Sequence, residues 1–314
     1  MKKEGKKRMI KLIATAESLS QGQALLEAGV DYLVIGESSY GLRLPGYFDR
    51  EEMAEMIRIT HQAGKEVIVA ANAILHNDKI DRARDYLTAV KGMGADLLMV
   101  GDTGLIQILK EEAYRMPYIY DASVLVTSPG QVNFWAQYGA VGALVAREVP
   151  YVELTEMARD AKIPLMVQTY GASCIHQSGR MLLDNYFNFV GKDKTEVAEH
   201  ELFLSEPKKD ETHYSIYEDD HGTHIFANND LDLMMYLDDL QEAGIQHWYA
   251  DGIYCPGQAF VDINRLFAQA RDAIEAGQWN DAYALQLDQK VRELHPENRE
   301  LSTGFFLFDK DTVQ

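Results

Sequence analysis

The chain has 314 residues, 46% apolar and 25% charged, with a formal net charge of −19. This composition suits a globular protein with a substantial core and excludes low-complexity, collagen-like and disulfide-scaffold classes. The acidic balance repels a phosphate backbone, so contact with nucleic acid requires a local basic patch or a basic partner, and no apolar run approaches the roughly 20 residues of a helical membrane span.

The start of the chain, MKKEGKKRMIKL, is basic but lacks the apolar centre of a secretory signal. Two cysteines, Cys174 and Cys255, are too few for a disulfide framework, which makes a reducing cytoplasm the expected compartment. Short β-branched or apolar runs then alternate with stretches of helical period. Strands are predicted at 10–16, 31–37, 66–74, 97–102, 118–123, 142–148, 164–171 and 247–253. Between them, in 79–94, Ile80, Ala83, Leu87 and Val90 share one helical face. Gly29, Gly64, Gly94 and Gly244 stand where helix C-caps fall, and Asp49 stands as an N-cap before Arg50-Glu51-Glu52.

Repeated βα units of this length fit a (β/α)8 TIM-type barrel. The competing doubly wound sheet calls for a glycine-rich phosphate loop after the first strand, and ATAESLSQGQA has none. The expected organisation is α/β: an N-terminal tail (1–9), a barrel (10–277) with an insertion at 173–228 after the seventh strand, and a C-terminal extension (278–314). The insertion is read as containing a hairpin, because HYSIYEDDHGTHIFA alternates around Asp220-His221-Gly222. The extension carries a helical piece at 281–294 and an apolar end, Phe305 to Phe308, expected to dock on the barrel or on a partner.

Reactive groups in such a barrel lie at the C-terminal ends of the strands. Those ends supply Glu37, Asn72, Asp102, Asp121, Arg147, Glu148, Gln168, Tyr170 and Asp251, and the second loop adds Tyr40, Arg43 and Tyr47. Carboxylates mixed with arginines point to a small anionic, hydroxyl-bearing molecule. Arg43, Arg147 and Arg180 are the expected carboxylate or phosphate binders, since a planar fork matches those groups. Asn72 and Gln168 are expected to help bind substrate, and Glu37, Asp121, Glu148, Tyr170, Cys174 and Asp251 to serve catalysis. Cys174 fits a nucleophile, a metal ligand or a buried small hydrophobe, and no histidine near it in sequence is placed to activate it. His213, His221 and His224 beside Glu218, Asp219 and Asp220 read as a solvated turn rather than a zinc site. The chain has no His-Glu-x-x-His, Gly-x-Ser-x-Gly or Walker loop.

The stretch 171–184 resembles the signature of the collagenase-like peptidase U-32 family. Gly171, Ala172, Cys174, Gly179 and Leu183 match it, while Ser173, Met181, Asp184 and Tyr170 replace its aliphatic residue, second cysteine, serine and histidine. GESSYGLRL (36–44), ANAILHND (71–78), VAREV (145–149), RMLLDNYF (180–187) and EDDHGTHIFANNDL (218–231) extend the likeness to short Gram-positive members. The resemblance implies an aldolase-type barrel and a part in prephenate-dependent formation of 5-hydroxyuridine at the tRNA wobble position. It also implies an iron–sulfur cluster on four cysteines. Here only Cys174 keeps its place, Met181 stands at the second position, FNFVGKDK offers no third, and Asp232 stands near the fourth. The expectation is therefore no cluster on this chain alone, prephenate as co-substrate, and pairing with a longer cysteine-bearing paralogue or with itself, tRNA being met through that partner. A collagenase-like peptidase and a non-catalytic scaffold are the alternatives.

Overall fold

The computed structural model describes residues 9–121, 127–191, 202–206 and 208–309. Eight parallel strands close into a barrel: β1 (Lys11–Thr15), β2 (Tyr32–Ile35), β3 (Glu66–Ala71), β4 (Leu97–Val100), β5 (Tyr118–Asp121), β6 (Ala140–Leu144), β7 (Leu165–Gly171) and, late in the chain, β13 (His247–Ala250). Each pairs with its neighbour, and β13 closes the ring by pairing with both β1 and β7. All eight expected strands are therefore present. The sixth begins at Ala140 rather than 142, and the expected end of the fifth, 122–123, lies outside the described residues.

These strands read as continuous apolar runs because both of their faces are buried. In β3, Ile68 and Ala70 fill the barrel interior with Ile13, Val34, Met99 and Met166, while Val67, Val69 and Ala71 face the helices. The outer ring comprises α1 (Leu19–Glu27), α2 (Arg50–Gln62), the short α3 (Asn77–Ile80), α4 (Ala83–Met93), α5 (Thr103–Leu109), α6 (Pro129–Gln137), α7 (Tyr151–Asp160), and later α9 (Leu237–Glu242) and α10 (Gly257–Glu275). Local chemistry starts several of them. Asp49 and Glu52 form a reciprocal capping box on α2, and Ser18, Asp102 and Ser128 cap α1, α5 and α6 through their side chains.

After β7 the chain builds a second layer over one end of the barrel. It contains β8 (Cys174–Ser178), α8 (Leu182–Val190), β9 (Phe203–Glu206), β10 (Lys209–Asp219) and β11 (Gly222–Phe226), with the strands in the order β8-β11-β10-β9. The expected hairpin is β10–β11, where Asp219 pairs with Gly222. Gly222 has φ +105°, and a Cβ there would lie 2.0 Å from the Ser178 carbonyl oxygen, so the turn requires glycine. The chain returns through β12 (Asn229–Asp232), antiparallel to the end of β7. Beyond α10, α11 (Asp281–Leu294) and β14 (Glu300–Ser302) complete the fold, β14 pairing with β12. At the apolar end, Phe306 is buried against Tyr151 and Tyr236, whereas Leu307 and Phe308 stay exposed. Among the described residues, no helix is long and apolar enough to cross a membrane.

Candidate active site at the barrel mouth

Polar side chains gather at the C-terminal end of the barrel, beneath the added sheet. Two loop anchors shape the wall. Asn72, just past β3, accepts from the Leu42 N–H at 2.9 Å and donates to Asp121 Oδ2 at 2.7 Å. This ties the loop after β2 to the strand ends. Arg43 follows with φ +53°, a backbone region that non-glycine residues rarely occupy, and its side chain is almost fully buried. Its Nη1 donates to Gln177 Oε1 at 2.7 Å.

Arg147, from the loop after β6, donates through Nε to Gln168 Oε1. Gln168 turns its amide N–H groups onto the carbonyls of Tyr170, Gly171 and Ala172 at 3.0 to 3.2 Å. It thereby holds the β7 exit and Arg147 in place. The exit itself is tight: Gly171 has φ +105°, and a Cβ there would lie 2.0 Å from the Asp251 carbonyl oxygen.

Asp251 is 5% exposed, and its Oδ1 accepts from the Ile253 N–H at 3.0 Å. Burial pushes its carboxyl up to about 6, against the pull of Arg147 and Arg43. The group is ionised at neutral pH yet close to the range in which a carboxylate exchanges protons usefully. Cys174 sits beside the same guanidinium groups. Burial alone would raise its thiol, but His224 and the charges of Arg43 and Arg147 outweigh it and bring the thiol below its ordinary value.

His224 is fully buried on β11, and its Nε2 meets Asp219 Oδ1 at 2.8 Å. Burial opposes protonation of the ring, but Asp219 and the Cys174 thiol prevail and raise its pKa. Asp219 shifts the other way: burial works against ionisation, while His224 and the His221 N–H hold the carboxyl below its ordinary value. His224 Nδ1 has no well-formed hydrogen bond, although the ring lies near enough to Cys174 to act on it. At the hairpin tip, His221 contacts the Ser38 carbonyl oxygen through Nε2 at 2.7 Å and Lys79 Nζ through Nδ1 at 3.4 Å. The expected solvated turn is thus a packed one, pinned across the mouth.

The structure brings together Arg43, Arg147, Gln168, Cys174 and Asp251, with Asn72 and Asp121 on the wall. Four expected residues lie elsewhere. Glu37 faces Arg50 at 3.4 Å. Glu148 is exposed on the loop after β6, and Arg180 is exposed on the turn after β8. Tyr170 points out of the barrel for a geometric reason. Tyr249 pairs with Gln168 and Ala250 with Tyr170, so Thr169 is an extra residue that reverses the alternation of β7. The Tyr170 hydroxyl meets His295 Nδ1 at 2.7 Å, between the barrel and α10. Tyr40 and Asp102 are structural: Tyr40 stacks on Tyr86, and Asp102 caps α5 while holding the Leu75 N–H.

Sequence reasoning placed His224 and Asp219 in a solvated turn and missed their approach to Cys174. The usable signal was alternation: His224 and Phe226 share a strand face, and Phe226 is buried over the mouth with Tyr217 and Ile253. A cavity of about 380 Å³ lies at the opposite end of the barrel, lined by Ile13, Tyr32, Ile68, Leu97 and Met166 among others. In this architecture that end serves stability.

The residues do not fit a four-cysteine iron–sulfur centre, which takes about four thiolates. Cys255 is buried beside Tyr170 in the layer between strands and helices, apart from the mouth. Met181 is partly exposed at the start of α8. Asp232 accepts from the Met234 N–H and lies beside Asp288; burial, reinforced by that neighbour, pushes its carboxyl up to about 7. Among the described residues, no group of three or more His, Cys, Asp or Glu side chains is placed to hold a metal ion.

These features define a (β/α)8 barrel with a charged, partly covered mouth. The chain belongs to peptidase family U32, whose pattern it matches over residues 17–313. It is 31% identical to tRNA hydroxylation protein P2 of Bacillus subtilis (strain 168), over 96% of this chain and 98% of that protein. It is 24% identical to tRNA hydroxylation protein P1 of the same strain, over 94% of this chain but 70% of that longer protein. The solved structure of the U32 peptidase Mk0906 superposes with a TM-score of 0.50 at 15% identity, covering 77% of this chain and 92% of that one, a likeness of fold.

Proposed function

We propose that this protein takes part in tRNA hydroxylation, as a cytoplasmic subunit of a system that forms 5-hydroxyuridine at the wobble position with prephenate as co-substrate. The likeness along nearly the full length of P2 supports the pathway. The observation that carries the chemistry is the convergence of Arg43 and Arg147 on buried Asp251. Two guanidinium forks at a partly covered mouth suit a small molecule with two carboxylates. Asp251 is placed to accept or return a proton from such a ligand's hydroxyl.

A second part of the proposal concerns assembly. The net charge of −19 disfavours direct contact with a phosphate backbone. Pairing with a longer, cysteine-bearing relative assigns tRNA contact, and any iron–sulfur cluster, to that partner. The pair of shorter and longer relatives in Bacillus subtilis supports this division.

Deleting the gene and measuring tRNA nucleosides by mass spectrometry tests the reading. Loss of 5-hydroxyuridine derivatives, restored by the wild-type gene but not by Arg147→Gln, is the expected result. Unchanged nucleosides overturn it. A pull-down from the native host is expected to recover the longer relative.

A further inference from the structure

Pairing of β11 with β8 places Phe226 opposite Cys174 and His224 opposite Gln177. The thiol and the imidazole thereby reach one face of the small sheet, the face that covers the barrel mouth. His224 is fully buried and oriented by Asp219 through Nε2, which leaves Nδ1 without a hydrogen-bond partner, while the ring acts on the Cys174 thiol, itself within 3.3 Å of the His176 carbonyl oxygen. Asp219 is itself fixed by the His221 N–H at 2.8 Å. A nucleophile, a base and a group orienting that base follow one another in this order. Arg43 and Arg147 stand beside the thiol, each engaged by one glutamine and each retaining further N–H donors.

We propose that Cys174 is a catalytic nucleophile, deprotonated by His224 and directed at the electrophilic carbon of a small carboxylate-bearing molecule held by Arg43 and Arg147. With a ketone or aldehyde carbon, the thiolate pair forms the S–C bond and the carbonyl π pair moves to oxygen. The proton taken by His224 Nδ1 is delivered to that oxygen, so charge and atoms balance and no outside oxidant or reductant is needed. Asp219 acts through His224 and is a positioning residue. The inference rests on the geometry of the mouth and goes beyond the hydroxylation reading.

Two alkylating probes of similar size test it on the purified full chain: iodoacetate, which is anionic, and iodoacetamide, which is neutral. Each forms an S–C bond and releases iodide. Native protein at pH 7 is expected to gain one label, on Cys174, with buried Cys255 unlabelled. Iodoacetate is expected to react about fivefold or more faster than iodoacetamide, because the guanidinium pair concentrates the anion. Arg147→Gln, outside the hairpin, is expected to slow both reagents, because its charge helps hold the thiol down, and to slow iodoacetate more, so that the preference for the anion falls to about twofold or less. His224→Gln is expected to slow both reagents about tenfold at pH 7 and to move the rate–pH profile upward.

A wild-type preference for iodoacetamide, or equal rates and profiles for wild type and His224→Gln, overturns the proposal. Labelling reads the thiol alone, so its failure leaves the nucleoside test of the proposed pathway intact, and success there does not rescue it.

Discussion

The chain places its two cysteines in opposite electrostatic surroundings. Cys174 faces the mouth with His224, Arg43 and Arg147, and its thiol lies below the ordinary value. Cys255 faces the seam between barrel and helices; burial pushes it up to about 11, with Asp230 and Glu17 adding to the effect and Tyr170 opposing it. Cys174 is partly exposed and Cys255 buried, but burial raises a thiol in either place and does not account for the lowered one. The sign of the neighbouring charge does. At the seam the buried charge is paired. Arg299 binds Asp230 through Nε at 2.9 Å and Nη2 at 2.5 Å, reaches the Ala227 carbonyl and Ser215, and lies 4.4 Å over the Tyr254 ring. The mouth leaves guanidinium donors and one imidazole nitrogen for a visitor.

If the seam is structural and the mouth chemical, removing a charge has different consequences in each. The largest effect is expected at Arg299→Ala, which strands Asp230 at 1% exposure without its ion pair. A loss of about 3 to 5 kcal/mol is expected in urea unfolding, with no selective effect on Cys174 labelling in the protein that remains folded. A loss below about 1 kcal/mol would show that water reaches this seam.

At the mouth the sign reverses. A buried carboxyl raised to about 6 from 3.8 contributes stability below its unfolded value and loses that contribution as pH rises through about 6. Asp251→Asn keeps an acceptor for the Ile253 N–H and removes the charge. The variant is expected to gain on the order of 3 kcal/mol at pH 8, little at pH 3, and to fail in restoring 5-hydroxyuridine to a deletion strain. Parallel urea melts at the two pH values measure the first part. A variant less stable than wild type at pH 8 would mean that Arg43 and Arg147 need the carboxylate more than the fold resents it.

The barrel was legible because parallel strands buried on both faces appear as unbroken apolar runs, and eight of them alternated with helical periods. The hairpin was legible from alternation around Asp220-His221-Gly222. The mouth was legible only in part. Arg43, Arg147 and Asp251 follow from counting to strand ends, but Tyr170 does not, because the extra residue Thr169 in β7 turns it outward and no local pattern announces that bulge. His224 and Asp219 escaped for another reason. Their meeting with Cys174 depends on β8, a strand within the insertion that pairs with β11 some 45 residues later in the chain. Glu37 and Arg180 carry the right chemistry, yet an ion pair with Arg50 engages one and an exposed turn displays the other.

Two smaller changes sharpen the contrast by asking how the mouth is held. His221→Ala removes the contacts to the Ser38 carbonyl and Lys79 that pin the hairpin tip across the barrel. It is expected to cost about 1 kcal/mol in unfolding and to speed hydrogen exchange in β10 and β11 relative to β1–β4. Uniform exchange across both layers would show that the added sheet does not open by itself.

The smallest effect is expected at Tyr47→Phe. Its hydroxyl reaches Asp219 Oδ2 at 3.5 Å, the limit of a hydrogen bond, from a side chain that is 38% exposed. Asp219 keeps the His221 N–H and His224 when that contact is lost. The expected cost is within about 0.5 kcal/mol, with Cys174 labelling changed less than about twofold. A slowing as large as that of His224→Gln would mean that the aspartate is aimed from the barrel loop rather than from within the hairpin. The thiol, imidazole and carboxylate would then form only when the two layers are docked, and reactivity at Cys174 would itself report that docking.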